Sequence, residues 1–322
     1  VWTWDVVRRL IEILWLINIA FAIWTVFRTR RDIASTWAWL LVLSALPIVG
    51  FILYLFVGRK LSNDDIFNIR MEQREYRDKY VRQQERLLKR HKLLLQSERL
   101  ARARQLISLS ASLDSALVTF NNRVKVFIDG KKLFQQMIAD FDQAGDHIYV
   151  EFYTFYSDNL GKQILAALER AAKRGVKVKV LYDLSGSRGT TYKFFAHLEE
   201  LGGEAQPFNS KANKRITTPR LNYHLHRKIV AIDGKLGYIG GFNIGDQYLG
   251  EDPKFGYWRD THLRVAGQAV IALTARFGMD WNTTCRKTKK ERVDLDKLLA
   301  DLEIKRPSDP GQDVAMQIVS SG

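Results

Sequence analysis

Residues 224–243 read H-L-H-R-K-I-V-A-I-D-G-K-L-G-Y-I-G-G-F-N. Leu225 to Ile232 has the composition of a strand, Asp233-Gly234 that of a tight hairpin turn, and Leu236 to Ile239 that of the returning strand. Alternate residues of a strand face the same way, about 6.6–7 Å apart along the chain. His226 and Lys228 therefore share a face, and His224 shares it with them. That spacing suits attack on a phosphodiester. An imidazole can attack phosphorus while an ammonium balances charge on the non-bridging oxygens. Gly240 and Gly241 permit close approach of backbone to a ligand, and the Asn243 amide can donate to a phosphate oxygen.

A lone H-x-K is weak and would ordinarily be a surface strand pair. Here it is followed after four residues by Asp233, and after six more by Gly-Gly-x-Asn. The full string resembles the signature of the phospholipase D superfamily. The flanks are similar to bacterial cardiolipin synthases: Trp37-Ala-Trp-Leu-Leu, Glu151-Phe-Tyr, and Tyr257-Trp-Arg-Asp-Thr-His262. The resemblance runs from about Leu14 to the C-terminus. It implies a phosphatidyltransferase that joins two phosphatidylglycerol molecules into cardiolipin through a phosphatidyl-histidine, releasing glycerol, with no metal or organic cofactor. It implies His226 as nucleophile, Lys228 and Asn243 on the phosphate, and Asp233 as a supporting catalytic residue. A plain turn role explains Asp233 equally well. Glu151 could orient a histidine from a neighbouring strand, or be a buried structural carboxylate. His224 and Gly241 are further supporting candidates, and Trp258, Arg259 and Asp260 could shape a headgroup pocket or simply pack.

The elements around this string divide the chain into four parts. Residues 1–60 hold most of the apolar character. Ile33 to Val57 carries no charge and spans roughly 37 Å as a helix, longer than a hydrocarbon core of about 30 Å. Ile13 to Phe27 is also charge-free, and Arg28, Arg30, Arg31 and Asp32 join the two runs. A two-helix transmembrane hairpin is expected. A signal peptide, a buried helix pair or a re-entrant first segment are the competing readings. The longer basic tract follows the second run, which places the catalytic part on the cytoplasmic side of the cell membrane. Residues 61–110 read as a basic helical connector without Gly or Pro from Ile69 to Arg104. It is either a solvated linker or a helix lying on an anionic membrane.

Residues 111–312 alternate strand-like and helical runs. Val124 to Ile128, Ile148 to Phe155 and Val176 to Tyr182 read as strands; Lys131 to Ala144, Leu160 to Arg174 and Tyr192 to Leu201 read as helices. The fold class expected is α/β, a phospholipase D-like layered domain with a mixed sheet. Residues 313–322, with Val314 to Ser321 strand-like, read as the start of a second half.

The net charge of +15 favours anionic partners, either nucleic acid or an anionic phospholipid membrane. The membrane runs favour phosphatidylglycerol over nucleic acid. The single Cys285 excludes an intrachain disulfide framework. Superfamily enzymes use two such motifs, the second histidine serving the leaving group and the incoming alcohol. One motif is present here. A missing C-terminal half, or a homodimer, is expected to supply the other. A hydrolase or nuclease of the same superfamily is the alternative function.

Overall fold

The structure is a computed structural model. It describes residues 4–9, 12–13, 15, 20, 33–46, 49–50, 53–54, 103–114, 116, 118–208, 225–286, 288–300 and 314–320. His224, most of the Ile13 to Phe27 run, the linking arginines and nearly all of the 61–110 connector lie outside the described residues. The chain divides into two compact units: Val1–Asn68 with Lys211–Tyr223, and Ile69–Ser210 with His224–Gly322.

In the first unit, helix α1 covers Ile33–Ala45. Leu43 and Tyr54 are buried together, with Trp39 edge-on to Tyr54 at 5.2 Å. Gly50 lies close to the α1 backbone: a Cβ there would sit 2.7 Å from the Val42 carbonyl oxygen. Trp37, Leu41, Leu46, Val49 and Leu53 are exposed. No helix among the described residues is long and apolar enough to cross a membrane.

The second unit is a three-layer α/β domain. In chain order its elements are α2 (Arg104–Asp114), β1 (Thr119–Phe127), α3 (Gly130–Asp142), β2 (His147–Phe152), α4 (Asn159–Lys173), β3 (Lys177–Asp183), α5 (Ala196–Glu200), β4 (Glu204–Phe208), β5 (Lys228–Ile232), β6 (Leu236–Gly240), β7 (His262–Ala266), α6 (Ala269–Thr284), α7 (Leu295–Ala300) and β8 (Val314–Met316). The strands form one mixed sheet in the order β4-β3-β2-β5-β6-β7-β1-β8. β2, β3 and β4 are mutually parallel and the remaining pairs are antiparallel.

Period-two alternation sends opposite faces of this sheet into different cores. Val150, Phe152, Val180, Val230 and Tyr238 pack with Leu133, Phe134 and Met137 of α3 and Ile164 and Leu168 of α4. Tyr149, Leu181 and Ala231 pack with Phe277 and Trp281 of α6. Helix starts follow side-chain caps: Asp129 accepts from Lys132 N at 2.9 Å, and Asp158 accepts from Gly161 N at 3.0 Å.

The expected α/β class and mixed sheet are observed, with local differences. β1 begins at Thr119, five residues before the expected strand, across an irregularity in its pairing with β8. The 192–201 segment is a 3-10 turn (Tyr192–Phe195) followed by the short α5. β5 begins at Lys228, so Leu225, His226 and Arg227 lie outside the ladder. Val314–Met316, read from sequence as the opening of a second half, is the edge strand of this same sheet, sealed by the Thr119 and Asn122 side chains.

The β5–β6 turn decides the role of Asp233. Asp233 and Gly234 both take positive φ (52° and 62°), and Lys235 N–H closes onto the Ile232 carbonyl at 3.0 Å. The Asp233 carboxylate then accepts three backbone N–H groups, from Gly145 (2.9 Å), Asp146 (2.8 Å) and His147 (2.9 Å). Expected among the catalytic residues, Asp233 instead stands at the opposite end of β5 from Lys228, roughly 16 Å along the strand. It clamps the turn to the chain entering β2. Burial raises its pKa, but the three N–H donors more than offset this and hold it below the usual carboxylate range. A depressed folded pKa gives stability that is complete above the ordinary carboxylate range and lost as pH falls through the folded value. Asp233→Asn, which tolerates the positive φ, should therefore cost about 1–2 kcal/mol at neutral pH, measured by chemical denaturation. The gap to the parent should close in acid; a gap that persists there contradicts the clamp.

Candidate active site

Because residues 225–227 leave the ladder, side chains rather than strand pairing must position them. Leu225 is buried, and its N–H donates to the Asp183 carboxylate at 2.9 Å. Asp183 ends β3 and also accepts from Ser185 N and Gly186 N, so one carboxylate fixes both the turn after β3 and the approach to β5.

His226 is exposed, and its ring stacks on Tyr153 with centroids 4.2 Å apart and planes at 15°. Lys228 lies over the same ring, Nζ 5.6 Å from its centroid, and donates to the His226 carbonyl at 2.8 Å. Both groups expected at the catalytic centre thus meet on one aromatic surface. Tyr153 in turn rests against Gly186, where a Cβ would lie 2.3 Å from the Tyr153 carbonyl oxygen and 2.8 Å from its ring. Only glycine permits that approach. Burial lowers the Lys228 pKa, and Asp260 opposes the shift.

Asn243 is buried one residue away from this surface. Its Oδ1 accepts from Thr154 N at 3.1 Å and its Nδ2 donates to the Tyr248 hydroxyl at 3.0 Å. Ile244 N–H donates to Thr154 O and Tyr156 N–H to Ile244 O, stitching the turn after β6 to the chain leaving β2. One Nδ2 hydrogen goes to Tyr248, which leaves the amide a second donor. Gly241 lets Asp260 close onto the backbone: a Cβ would fall 2.1 Å from Asp260 Oδ1. Trp258 packs edge-on to Tyr248 and Phe255, and Arg259 is exposed.

Glu151 does not reach a histidine. It points to the opposite face, where its Oε1 accepts from Arg227 Nε at 3.2 Å. Arg227 also donates to Asp280 at 3.0 Å, and Arg276 grips Asp280 through two nitrogens at 3.1 and 2.9 Å. Arg227 is thus pinned on one side of the segment while His226 stacks on the other. Sequence reasoning passed over Arg227, although its place between His226 and Lys228 assigns it to the other face. Tyr153 follows Glu151-Phe152 directly, whereas no local signal marks Asp183, whose partner Leu225 is 42 residues away.

Glu151 is fully buried, and among the described residues its Oε2 has no hydrogen-bond partner. Burial first, then repulsion from Asp280, raises its pKa well above the usual range, and Arg227 and Arg276 only partly oppose this. A raised folded pKa gives stability that is present below the unfolded value and lost as pH rises through the folded one. Glu151→Gln keeps an acceptor for Arg227 and cannot ionise. Its thermal midpoint should match the parent in acid and exceed it increasingly as pH rises above the ordinary carboxylate range; a lower midpoint throughout would contradict this. At the site itself, Tyr153→Leu removes the stacking partner. Carbethoxylation of His226 by diethyl pyrocarbonate, followed by peptide mass spectrometry, should accelerate several-fold; an unchanged rate would mean that the stack does not hold the ring.

The chain was compared with known proteins. A family model described as "Cardiolipin synthase, PLD-like domain" matches residues 137–255, and one described as "Phospholipase_D-nuclease N-terminal" matches residues 13–59. A protein named cardiolipin synthase from Listeria innocua is 47% identical over 274 residues, covering 85% of this chain and 57% of that protein. One named cardiolipin synthase 2 from Staphylococcus epidermidis is 38% identical over 317 residues, covering 98% of this chain and 63% of that protein. The chain thus spans less than two thirds of these relatives. Among solved structures, NucT from Helicobacter pylori is a distant likeness only, with 16% identity and a TM-score of 0.40 over 51% of this chain and 98% of that one. Residues 137–255 thus match a phospholipase D-like domain model and residues 13–59 its N-terminal companion, and the chain is similar over most of its length to proteins named cardiolipin synthase.

Proposed function

We propose that this protein is a membrane-anchored phosphatidyltransferase that converts two phosphatidylglycerol molecules into cardiolipin and glycerol. The observation that carries the reading is the exposed His226 ring, stacked on Tyr153 beside the Lys228 ammonium. A solvent-facing imidazole beside a fixed cation is what attack on an anionic diester requires.

In the first step a His226 ring nitrogen attacks the phosphorus of one phosphatidylglycerol. The P–N bond forms, the P–O bond to glycerol breaks, and an acid protonates the departing glycerol oxygen. In the second step the free hydroxyl oxygen of another phosphatidylglycerol attacks the same phosphorus. The P–N bond breaks, and the conjugate base removes the hydroxyl proton. Lys228, and the spare Asn243 donor, neutralise charge on the non-bridging oxygens in both steps.

The described histidines do not supply the acid. His147 stands at the other end of the sheet, paired with Asp146 at 2.7 Å. His197 lies on α5 beside Glu200. His262 is fully buried, and burial followed by repulsion from Lys228 pushes its pKa down to about 3. In this reading a second motif-bearing half supplies it, from a longer polypeptide or from a second copy.

Residues 1–60 serve as a two-helix membrane hairpin, 61–110 as a basic connector at the anionic surface, and 111–312 as the first catalytic half, on the cytoplasmic side of the cell membrane. The charge-free Ile33 to Val57 run supports this, as do the exposed Trp37, Leu41, Leu46 and Val49, apolar side chains that suit lipid better than water. The net charge of +15 suits anionic headgroups.

Incubating the full-length protein with phosphatidylglycerol vesicles, with lipid analysis by mass spectrometry, tests this. Cardiolipin and glycerol should appear in equal amounts, and His226→Ala should lower the rate at least about 10³-fold. A parallel incubation with DNA distinguishes the alternative. DNA cleavage without lipid turnover, or undiminished turnover in His226→Ala, would reject the proposal.

A further inference from the structure

His262 opens β7 with its ring fully buried, yet among the described residues neither Nδ1 nor Nε2 has a hydrogen-bond partner. Its aromatic neighbours, Tyr238 and Phe242, have ring centroids 6.4 Å away. Leaving such groups unsatisfied costs about 1–3 kcal/mol. One row deeper on the same face the polar groups do satisfy each other. Tyr238 donates to Asp140, and Arg264 donates to the same carboxylate at 2.7 and 3.0 Å. Among the described residues, His262 is the one ring with both nitrogens buried and unsatisfied, and it lies in the row that holds Lys228.

The sheet register shows why. Gly240 pairs with His262, and Ile239 pairs with Ile229. One step further, Lys228 stands opposite Gly240. Directly opposed residues of antiparallel strands share a face. Lys228 and His262 therefore flank Gly240 on one face, about 10 Å apart at Cα. Gly240 has no side chain to separate them. A Cβ there would lie 2.5 Å from His262 Cγ, so the imidazole occupies the space over the glycine.

We propose that His262 is a positioning residue for Lys228, its ring serving as the uncharged acceptor that holds one ammonium hydrogen while the others turn to the phosphate. The inference rests on Lys228 as the phosphate ligand. In the structure Lys228 donates to the His226 carbonyl, the backbone of the nucleophile itself. A second acceptor beneath the lysine lets the ammonium leave that carbonyl without losing a partner. The acceptor must be neutral, because a cationic ring would repel the lysine. Burial, and then Lys228 itself, keep it so by pushing the His262 pKa down to about 3. The charged and titratable groups facing Lys228 are Tyr153 and His226 on the open side, Asp260 beside Gly241, and His262 beyond Gly240.

The full-length protein with ¹⁵N-labelled histidine reads the ring directly, its signals assigned with His262→Gln. Adding inorganic phosphate should shift one His262 ring nitrogen as the ammonium turns to it, and Lys228→Met should abolish that shift; no phosphate-dependent shift in the parent would overturn the proposal. With phosphate present, the Lys228 ammonium, followed through the Cε signal of biosynthetically ¹³C-labelled lysine and assigned with Lys228→Arg, should titrate at lower pH in His262→Phe and return toward the parent in His262→Gln. An unmoved titration would equally overturn it. The rate of lipid transfer should fall about 10- to 100-fold in His262→Phe, with the KM for lipid little changed, and recover in His262→Gln. Should His262→Phe fail to fold, the Lys228→Met measurement still decides. Should the parent turn over no lipid, the functional reading fails, while both spectroscopic readouts continue to judge the role of His262.

Discussion

His226 stands two residues before the first ladder residue of β5, and the site depends on how that short segment is held. Four side chains replace the missing strand pairing. Asp183 takes the Leu225 N–H, Tyr153 takes the His226 ring, and Glu151 with Asp280 takes the Arg227 guanidinium. The Arg227 guanidinium bonds two carboxyl groups from different elements, Glu151 on β2 and Asp280 on α6, and so ties the segment to both. Alternation then does the rest: with Arg227 fixed to the α6 side, His226 and Lys228 must emerge on the other.

The same constraint explains the glycines. Gly186 admits the Tyr153 ring, Gly240 admits the His262 side chain, and Gly241 admits the Asp260 carboxylate. Each removes a Cβ so that a group from a neighbouring strand or loop can approach the row that holds Lys228. Asn243 ties the turn after β6 to Thr154, beside Tyr153. The nucleophile surface and the phosphate-side turn are therefore built on one stretch of chain, residues 153–155, which the 183–190 loop braces through Ser187 and Thr190.

Much of this was legible in the sequence where the determinant is local. The H-x-K alternation placed His226 and Lys228 together, and Asp-Gly marked the β5–β6 turn. The runs at 160–174 and 176–182 lie within a residue of the observed α4 and β3. What stayed hidden depends on distant partners. The donors to Asp233 lie 86 to 88 residues away in sequence, so composition could mark the turn but not the clamp. The early end of the β5 ladder is set by Asp183, 42 residues before Leu225. Glu151 looked free to serve a histidine because sequence does not reveal that its strand face meets Arg227. The segment at 192–201 has helical composition throughout, yet Phe194 and Phe195 are drawn into ring contacts with Phe155, and the chain makes a 3-10 turn before α5.

The central claim is that His226 carries the phosphatidyl group. Rapid acid-free quenching of the full-length protein with phosphatidylglycerol, followed by peptide mass spectrometry, tests it most directly. The account predicts a phosphatidyl adduct on the peptide containing His226, lost when excess phosphatidylglycerol is chased through the enzyme. An adduct on another residue, or lipid turnover with His226 unmodified at every time point, would contradict it.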